Sequence, residues 1–179
     1  MTVLERQKSR MSRTSRHLQF EQLLAEHGQA LARLAATYER RPSLRDELLQ
    51  EFALAIWKAW PAFRGECSPR TFVFRIATYQ AMTHLSRRAP AAEVLDVADG
   101  LSHPDPGPEE VAMQGEESRR LLAAVMALPL GLRQVVSLAL EGFSHREIGE
   151  ILGLTEGNVA VRVHRGKERL KELLGARDG

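Results

Sequence analysis

Cysteine is almost absent from this chain of 179 residues, which contains only Cys67. One thiol excludes an internal disulfide and a cysteine cluster that would bind zinc, so we interpret Cys67 as a reduced thiol. Apolar runs of the roughly 20 residues that span a bilayer are missing as well. Basic residues lie near the N-terminus, but no apolar segment follows them as it would in a secretory signal. We therefore expect a cytoplasmic protein that does not insert into a membrane, and Met11 is an alternative start.

Lysine and arginine are absent from residues 89–118, where eight carboxylates and four prolines occur. Proline removes an amide donor and fixes φ, and so polar a segment buries too little apolar surface to order itself. The sequence therefore predicts four parts along the chain: a disordered basic tail over 1–17, a helical domain over 18–88, a flexible acidic linker over 89–116 and a second helical domain over 117–175.

Apolar residues in both domains repeat at three- and four-residue spacings, and no alternating strand pattern of useful length is present. We therefore predict an all-α fold with two small helical domains joined by an acidic, proline-rich linker. The first domain is expected to form a helix over 18–39, a helix capped by Ser43 that ends before Pro61, and a helix over 70–88. Ser68 and Pro69 are a favoured N-cap and first position for the third of these helices.

The strongest motif lies between residues 143 and 174. Ser144 and Glu147 have the spacing of a capping box, which opens a short helix that Gly153 ends in the left-handed conformation. Thr155 caps a second helix that runs to about residue 174, and the small Gly149 lets the two helices approach each other. A short capped helix, a tight turn and a basic second helix together predict a helix-turn-helix.

The second helix of this motif is basic on one side. Val159, Val163 and Leu170 form the apolar stripe that faces the core, while residues 158–171 include five lysines or arginines and one acid. Because the N-terminal part of such a helix enters the major groove, its outer side chains are candidates for contacts with bases and phosphates. The predicted DNA-binding residues are Thr155, Asn158, Val161, Arg162, His164 and Arg165. The alternative is a helical hairpin whose basic face is only solvated.

Two sets of motifs, one in each domain, resemble the extracytoplasmic-function (ECF) family of RNA polymerase sigma factors. The resemblance to region 4 of that family lies in Ala127, Leu128, Pro129, Arg133, Gln134, Val135, Val136, Gly142, Phe143, Ser144, Glu147, Ile148, Leu152, Gly153, Leu154, Val159, Arg162, His164 and Arg165. The resemblance to region 2 lies in residues 47–51, Trp57, residues 63–68, Thr71, Phe72, Arg75, Ile76 and Ala77. Both sets in this order, on either side of an acidic linker, are specific to the family.

The resemblance implies an alternative sigma factor that binds core RNA polymerase and directs promoter recognition and transcription initiation. The residues implied in polymerase binding are Glu47, Leu48, Leu49, Gln50 and Glu51. The residues implied in binding and melting the −10 element are Phe63, Arg64, Gly65, Glu66, Cys67, Ser68, Arg75, Tyr79 and Thr83. The helix-turn-helix would bind the −35 element, and an anti-sigma factor is a further expected partner. For Leu48 and Leu49, the alternative is packing in the core. The resemblance also implies that the acidic linker runs towards the RNA exit channel, and the alternative is that it is only a solvated tether.

The chain departs from the family's usual residues at several of these positions. The family commonly has Asn where Tyr79 stands, Asp at Thr83 and Ala at Gly149, and it often has Lys at Ala160 and Ser at Val161. At Tyr79, a platform on which a base stacks and a half-buried tyrosine are both open interpretations. The differences at 160 and 161 indicate an unusual preference in the upstream element.

Two other classes of function compete with this interpretation. A helix-turn-helix regulator with a helical sensing or dimerisation domain would explain the second domain, but it leaves the motifs at 47–51 and 63–68 as coincidence. An enzyme is disfavoured because the six histidines have no metal-ligand spacing and no phosphate loop or nucleophile motif occurs. We therefore expect no catalytic residue, no metal and no cofactor.

Overall fold

A computed structural model describes residues 3–88 and 115–175, with side chains in the first helix described from His17 onward. These residues form seven α-helices, which confirms the all-α prediction. The helices are α1 (Val3–Ala36), α2 (Pro42–Ala59), α3 (Pro69–Arg88), α4 (Gly115–Met126), α5 (Leu130–Leu140), α6 (His145–Leu152) and α7 (Glu156–Gly175), with a short 3-10 turn at Trp60–Ala62. Most of the predicted linker, residues 89–114, lies outside the described residues.

Helices α1, α2 and α3 pack together as the first domain. Helix α2 buries Leu48, Phe52 and Ile56, which follow one another at the four-residue spacing of a single helix face. Val73 and Phe74 of α3 are also buried, and they belong to the same apolar cluster. Because each such side chain is completely or almost completely buried, truncation to alanine would cost about 2–5 kcal/mol.

The starts of α1 and α2 differ from the sequence predictions. Helix α1 begins at Val3, so residues 3–17 are helical and not a disordered tail. That stretch contains neither proline nor glycine and includes four arginines, which favour helices. Helix α2 begins at Pro42 with Arg41 as its N-cap, so the prediction of a Ser43 cap was wrong. Proline suits the first helical position because it lacks the amide donor that would be unsatisfied there, and both the cap and the first helical residue therefore lie two residues earlier than predicted.

The end of α1 is tied to the end of α3 by the buried carboxylate of Glu39. Its oxygens accept hydrogen bonds from the Arg41 amide at 3.0 Å and the Arg41 Nε at 3.2 Å, and one lies 3.2 Å from Nε2 of the buried His84. Burial by itself would raise the pKa of Glu39, but the bonds from Arg41 and His84 together outweigh it and lower the pKa to about 2. Glu39 is therefore a charged group that holds two elements together.

The second domain consists of α4 to α7, with α5 packed along α7. Buried Arg133 of α5 donates to the carbonyl oxygens of Met126 at 2.6 Å and Leu128 at 3.2 Å. Met126 is the last residue of α4 and Leu128 follows it closely, at a helix end where backbone acceptors have no partner within the helix. Arg133, which belongs to the motif that resembles region 4, therefore caps the C-terminal end of α4.

The two domains contact each other through the turn between α5 and α6. Glu141 in that turn accepts two hydrogen bonds from Arg33 of α1, both at 2.8 Å. Phe143 is buried against Phe74 of α3, with ring centroids 4.8 Å apart, and the Arg70 guanidinium lies 4.0 Å from the Phe143 centroid. Arg70 also donates to the backbone carbonyl of Glu141. This contact fixes the first helix of the helix-turn-helix beside α3.

Candidate nucleic-acid interface

Helix α6 begins with the predicted capping box. The Ser144 hydroxyl accepts from the Glu147 amide at 3.3 Å, and the Glu147 carboxylate accepts from the Ser144 amide at 2.8 Å. The Ser144 hydroxyl and amide, which both bond to the Glu147 side chain, lower the pKa of that carboxyl. The reciprocal bonds satisfy amides that have no partner inside the helix, so the start of α6 is confirmed as predicted.

The turn between α6 and α7 depends on two glycines. Gly153 has φ of 68°, in the left-handed region where a side chain is strained, as the sequence predicted. A Cβ on Gly149 would lie 2.6 Å from the backbone oxygen of Leu154. The close approach predicted at Gly149 is therefore real, and its partner is the backbone of the turn.

Helix α7 is fixed by its cap and by its buried stripe. The Thr155 hydroxyl accepts from the Asn158 amide at 3.3 Å, and Val159, Val163 and Leu170 are buried, as predicted. Gly166 was not predicted as a packing residue, but a Cβ there would clash with the side chain of Val136 on α5. A glycine in the middle of an otherwise regular helix was the available signal, because such a residue usually has a packing reason.

The outer face of α7 brings together most of the predicted DNA-binding residues. The exposed members are Thr155, Asn158, Val161, His164 and Arg165. Arg162 is half-buried on the flank, where its Nη1 lies 3.5 Å from the position that a Cβ on Gly131 of α5 would occupy. Guanidinium, amide and imidazole groups on one open helix face can bond to base edges and phosphates of a duplex.

The loop at 63–68 divides into residues that pack and residues that are exposed. Phe63 stacks on Trp60 with centroids 4.9 Å apart, and its centroid is also 4.9 Å from that of Phe72. The Ser68 hydroxyl caps α3 by accepting from the Thr71 amide at 3.0 Å, which confirms the predicted cap. The exposed members of the loop are Arg64, Gly65, Glu66 and Ser68, while Cys67 is half-buried. Gly65 has φ of 77°, which favours glycine.

Three predicted residues of α3 share one side of that helix at four-residue spacing. Arg75 and Tyr79 are exposed, and Thr83 is half-buried with its hydroxyl donating to the Tyr79 carbonyl at 3.0 Å. The Tyr79 side chain is 70% exposed, so the interpretation as a half-buried tyrosine was wrong. Its ring is therefore open on the surface of α3.

The motif at 47–51 on α2 is only partly on the surface. Glu47 and Gln50 are exposed, Leu49 is half-buried, and half-buried Glu51 accepts from Arg87 at 2.8 Å. Leu48 is completely buried, so its side chain serves the core and does not reach a partner. The alternative of core packing is the correct one for this leucine.

Two exposed apolar residues continue the surface of α2 beyond the motif. Leu54 is 53% exposed and Trp57 is 40% exposed; Leu54 follows Gln50 by four residues, and Trp57 follows Leu54 by three. Trp57 makes edge contacts with His17 and Phe20 of α1, at 5.9 Å and 5.1 Å between centroids. Leu54 and Trp57 were not predicted as surface residues, although the spacing of Gln50, Leu54 and Trp57 is that of a single helix face.

Within the described ranges 3–88 and 115–175, no three side chains of His, Cys, Asp or Glu are grouped as metal ligands. In the same part of the chain, every helix is too short or too polar to cross a bilayer.

Two family models match this chain. The model for sigma-70 region 2 matches residues 23–90, and the model for sigma-70 region 4 matches residues 118–170. The first matched segment contains α2, α3 and the loop between them, and the second contains α5 and the helix-turn-helix.

Curated relatives and solved structures agree with these matches. RNA polymerase sigma factor CnrH of Cupriavidus metallidurans is 30% identical over 166 residues, which cover 88% of this chain and 87% of CnrH. ECF RNA polymerase sigma factor SigM of Mycobacterium tuberculosis is 30% identical over 162 residues, which cover 87% of this chain and 77% of SigM. The structure of CnrH in complex with the cytosolic domain of CnrY has a TM-score of 0.64 at 28% identity, with 88% of each chain covered. The sigma factor RpoE of Bartonella quintana, in complex with the anti-sigma factor NepR, shares the fold with a TM-score of 0.69 at 22% identity, over 88% of this chain and 97% of RpoE. The chain therefore belongs to the ECF family of RNA polymerase sigma factors.

Proposed function

We propose that this sigma factor binds core RNA polymerase through α2, reads the −35 element with α7 and opens the −10 element with the 63–68 loop and α3. The observation that carries the proposal is the complete helix-turn-helix, whose second helix has an open, basic outer face. It acts with a separate set of exposed polar and aromatic groups on the first domain. A factor that must hold polymerase and contact two promoter elements needs three such surfaces, and these residues supply one for each.

The charges of α7 support contacts near its N-terminal half. Arg169 donates to Glu172 at 2.6 Å and Lys171 to Glu168 at 2.8 Å, so these two cations are engaged by neighbouring acids. Arg165 lies closer to the start of the helix and is exposed beside Asn158 and Val161. The positive end of the helix dipole is at the N-terminus of α7, and it favours the approach of this end to phosphates.

The first domain supports capture of an unstacked base. Tyr79 presents a largely exposed ring, and base–aromatic stacking contributes about 1–3 kcal/mol per base. Arg64 and Glu66 offer groups that can bond to the base edge, and Gly65 lets the loop turn sharply between them. Phe63 contributes by shaping the loop, because it is packed on Trp60 and Phe72.

The surface on α2 supports polymerase binding. We assign it to Glu47, Leu49, Gln50 and Glu51, and extend it to Leu54 and Trp57. Leu54 and Trp57 are large, apolar and surrounded by polar side chains, which is typical of the centre of a protein interface. Leu48 stays outside this surface because it is completely buried.

We further propose an anti-sigma factor as a regulatory partner. In two solved structures of similar proteins, CnrH is bound to the cytosolic domain of CnrY, and RpoE is bound to the anti-sigma factor NepR.

The protein would act without a cofactor and without enzymatic activity of its own, in the cytoplasm where polymerase and promoters are found.

Co-elution with purified core polymerase on gel filtration tests the assignment of α2. Gln50→Ala combined with Leu54→Ser changes two exposed side chains and leaves the core of α2 intact. We expect this variant to lose most of its polymerase association while circular dichroism shows unchanged helix content. The control is Gln29→Ala, an exposed glutamine of α1, which should co-elute like the parent. A parent chain that never associates with core polymerase would favour the helix-turn-helix regulator instead.

A further inference from the structure

An apolar side chain lies in the middle of the polar face of α7. Val161 is 50% exposed, although the other valines of this helix, Val159 and Val163, are buried. Its exposed neighbours one turn away are Asn158 on one side and His164 and Arg165 on the other. The fold therefore does not need Val161 for packing, and valine is a poorer helix former than alanine.

The position of Val161 in the helix places it among the residues that reach base edges. It is the sixth residue of α7, counted from Glu156, and so lies within the first two turns. In a helix-turn-helix, this N-terminal part of the second helix contacts the bases. A valine in a helix has one strongly preferred χ1 rotamer, so the backbone fixes where its methyl groups point.

The chemistry of the major groove then limits what Val161 can recognise. Valine has no donor or acceptor, and the 5-methyl group of thymine is the apolar feature that a base pair presents in this groove. Above a G·C pair, the valine would remove water from the cytosine amino group or the guanine oxygen without replacing the hydrogen bond. Contact with thymine has no such penalty.

We propose that Val161 contacts the 5-methyl group of a thymine in the −35 element and sets a preference for thymine at that position. This inference rests on the proposed function and specifies the base that α7 selects. Asn158 lies one turn earlier on the same face, and its amide can bond to the N6 and N7 atoms of an adenine. The two side chains together favour neighbouring A·T pairs.

The contribution of Val161 differs from that of the cations in its dependence on salt. An apolar contact neutralises no phosphate and releases no counterion, whereas each phosphate contact adds to the slope of affinity against salt. The thymine preference is therefore expected to keep the same size at low and high salt. This separates Val161 from Arg165 in one titration.

The test uses the full chain assembled with core polymerase. A −35 element is first selected from random duplexes, and each thymine in it is then replaced by deoxyuridine, which lacks only the methyl group. At one position, deoxyuridine should weaken binding by about four-fold, the effect of one buried methyl group. Val161→Ser should bind thymine and deoxyuridine equally at that position, and Val161→Ile should keep the preference. Leu140→Ala is the control, because Leu140 is equally exposed, at 54%, but lies outside α7.

The inference is overturned if the selected element contains no thymine, if deoxyuridine is tolerated at every position, or if Val161→Ser keeps the preference. In these cases the complex still binds promoters, so the proposed function survives. A complex that binds no promoter at all would instead contradict the proposed function and the inference with it.

Discussion

Gly149 and Gly166 lie at points of the second domain where the packing leaves no room for a side chain. A Cβ at Gly149 would meet the Leu154 carbonyl oxygen, and one at Gly166 would meet the side chain of Val136. The first obstacle is backbone and cannot rotate away, while the second is a short, branched side chain. Gly149 therefore sets how the turn before α7 packs on α6, and Gly166 sets how α7 packs on α5.

Gly149→Ala should destabilise the second domain by about 1–3 kcal/mol, because the added methyl group forces the turn to shift. Thermal unfolding followed by circular dichroism measures this loss. Gly157→Ala is the matched control: a Cβ there meets nothing within 4 Å, and replacing glycine in a helix should leave stability unchanged or raise it. Equal stability of the Gly149→Ala variant and the parent would show that the turn accommodates a side chain.

Arg165→Ala should weaken binding of the polymerase complex to promoter DNA. If the guanidinium contacts a phosphate, the loss occurs on all sequences and the slope of affinity against salt falls by about one; if it contacts a base, the loss is about 1–3 kcal/mol and depends on sequence. Arg169→Ala provides the comparison, because Arg169 is held by Glu172 further along α7. Binding by Arg165→Ala that matches the parent at every salt concentration would remove Arg165 from the interface.

At the scale of elements, the sequence predicted best where the signal is local. The capping box at Ser144, the left-handed Gly153 and the Ser68 cap depend on residues within a few positions, and all three are present. The start of α2 was misplaced because Pro42 and Ser43 both suit a helix start, and the proline took the first position. The start of α1 was misplaced because the apolar repeat begins only near residue 18, whereas the helix continues through the basic residues before it.

The junction of α1 with α3 is expected to be sensitive to acid. Glu39 has a pKa of about 2 in the folded protein against 4.5 ordinarily, so its charge stabilises the fold above the ordinary value. That stabilisation is lost as the pH falls from about 4.5 towards 2. Glu39→Gln should lower the free energy of unfolding at pH 7 and should flatten its decline over this range. Denaturant titrations at a series of pH values measure both effects.

Glu47→Gln, a change at an exposed carboxylate of α2, is the control for that experiment. It should leave the acid-induced decline as steep as in the parent. A Glu39→Gln variant with the same decline as the parent would mean that other carboxylates determine the acid sensitivity.

The exposed ring on α3 gives a prediction about promoter opening. Tyr79→Ala should bind duplex promoter normally with core polymerase but open it less, because the stacking surface is gone. Permanganate reactivity of unpaired thymines around the −10 element measures opening. Tyr79→Phe keeps the ring and should restore it. Normal opening by Tyr79→Ala would leave base capture to the 63–68 loop alone.

At the scale of the whole molecule, the contact between the two domains was beyond the reach of sequence reasoning. Arg33 and Glu141 are 108 positions apart, and neither belongs to a motif that indicates the other. The same holds for Phe74 and Phe143, which were placed in separate domains by the acidic segment between them. The exposure of Tyr79 and the burial of Leu48 were equally undetermined, because they depend on which side of a helix the rest of the domain covers.

Run-off transcription from purified components tests the central claim most directly. The full chain is mixed with core polymerase and genomic fragments, including the region upstream of its own gene. The account predicts discrete transcripts that require both the chain and core polymerase and that start at a fixed distance from a common pair of sequence elements. Transcription that is the same with and without the chain, on every fragment, would contradict its role as a sigma factor.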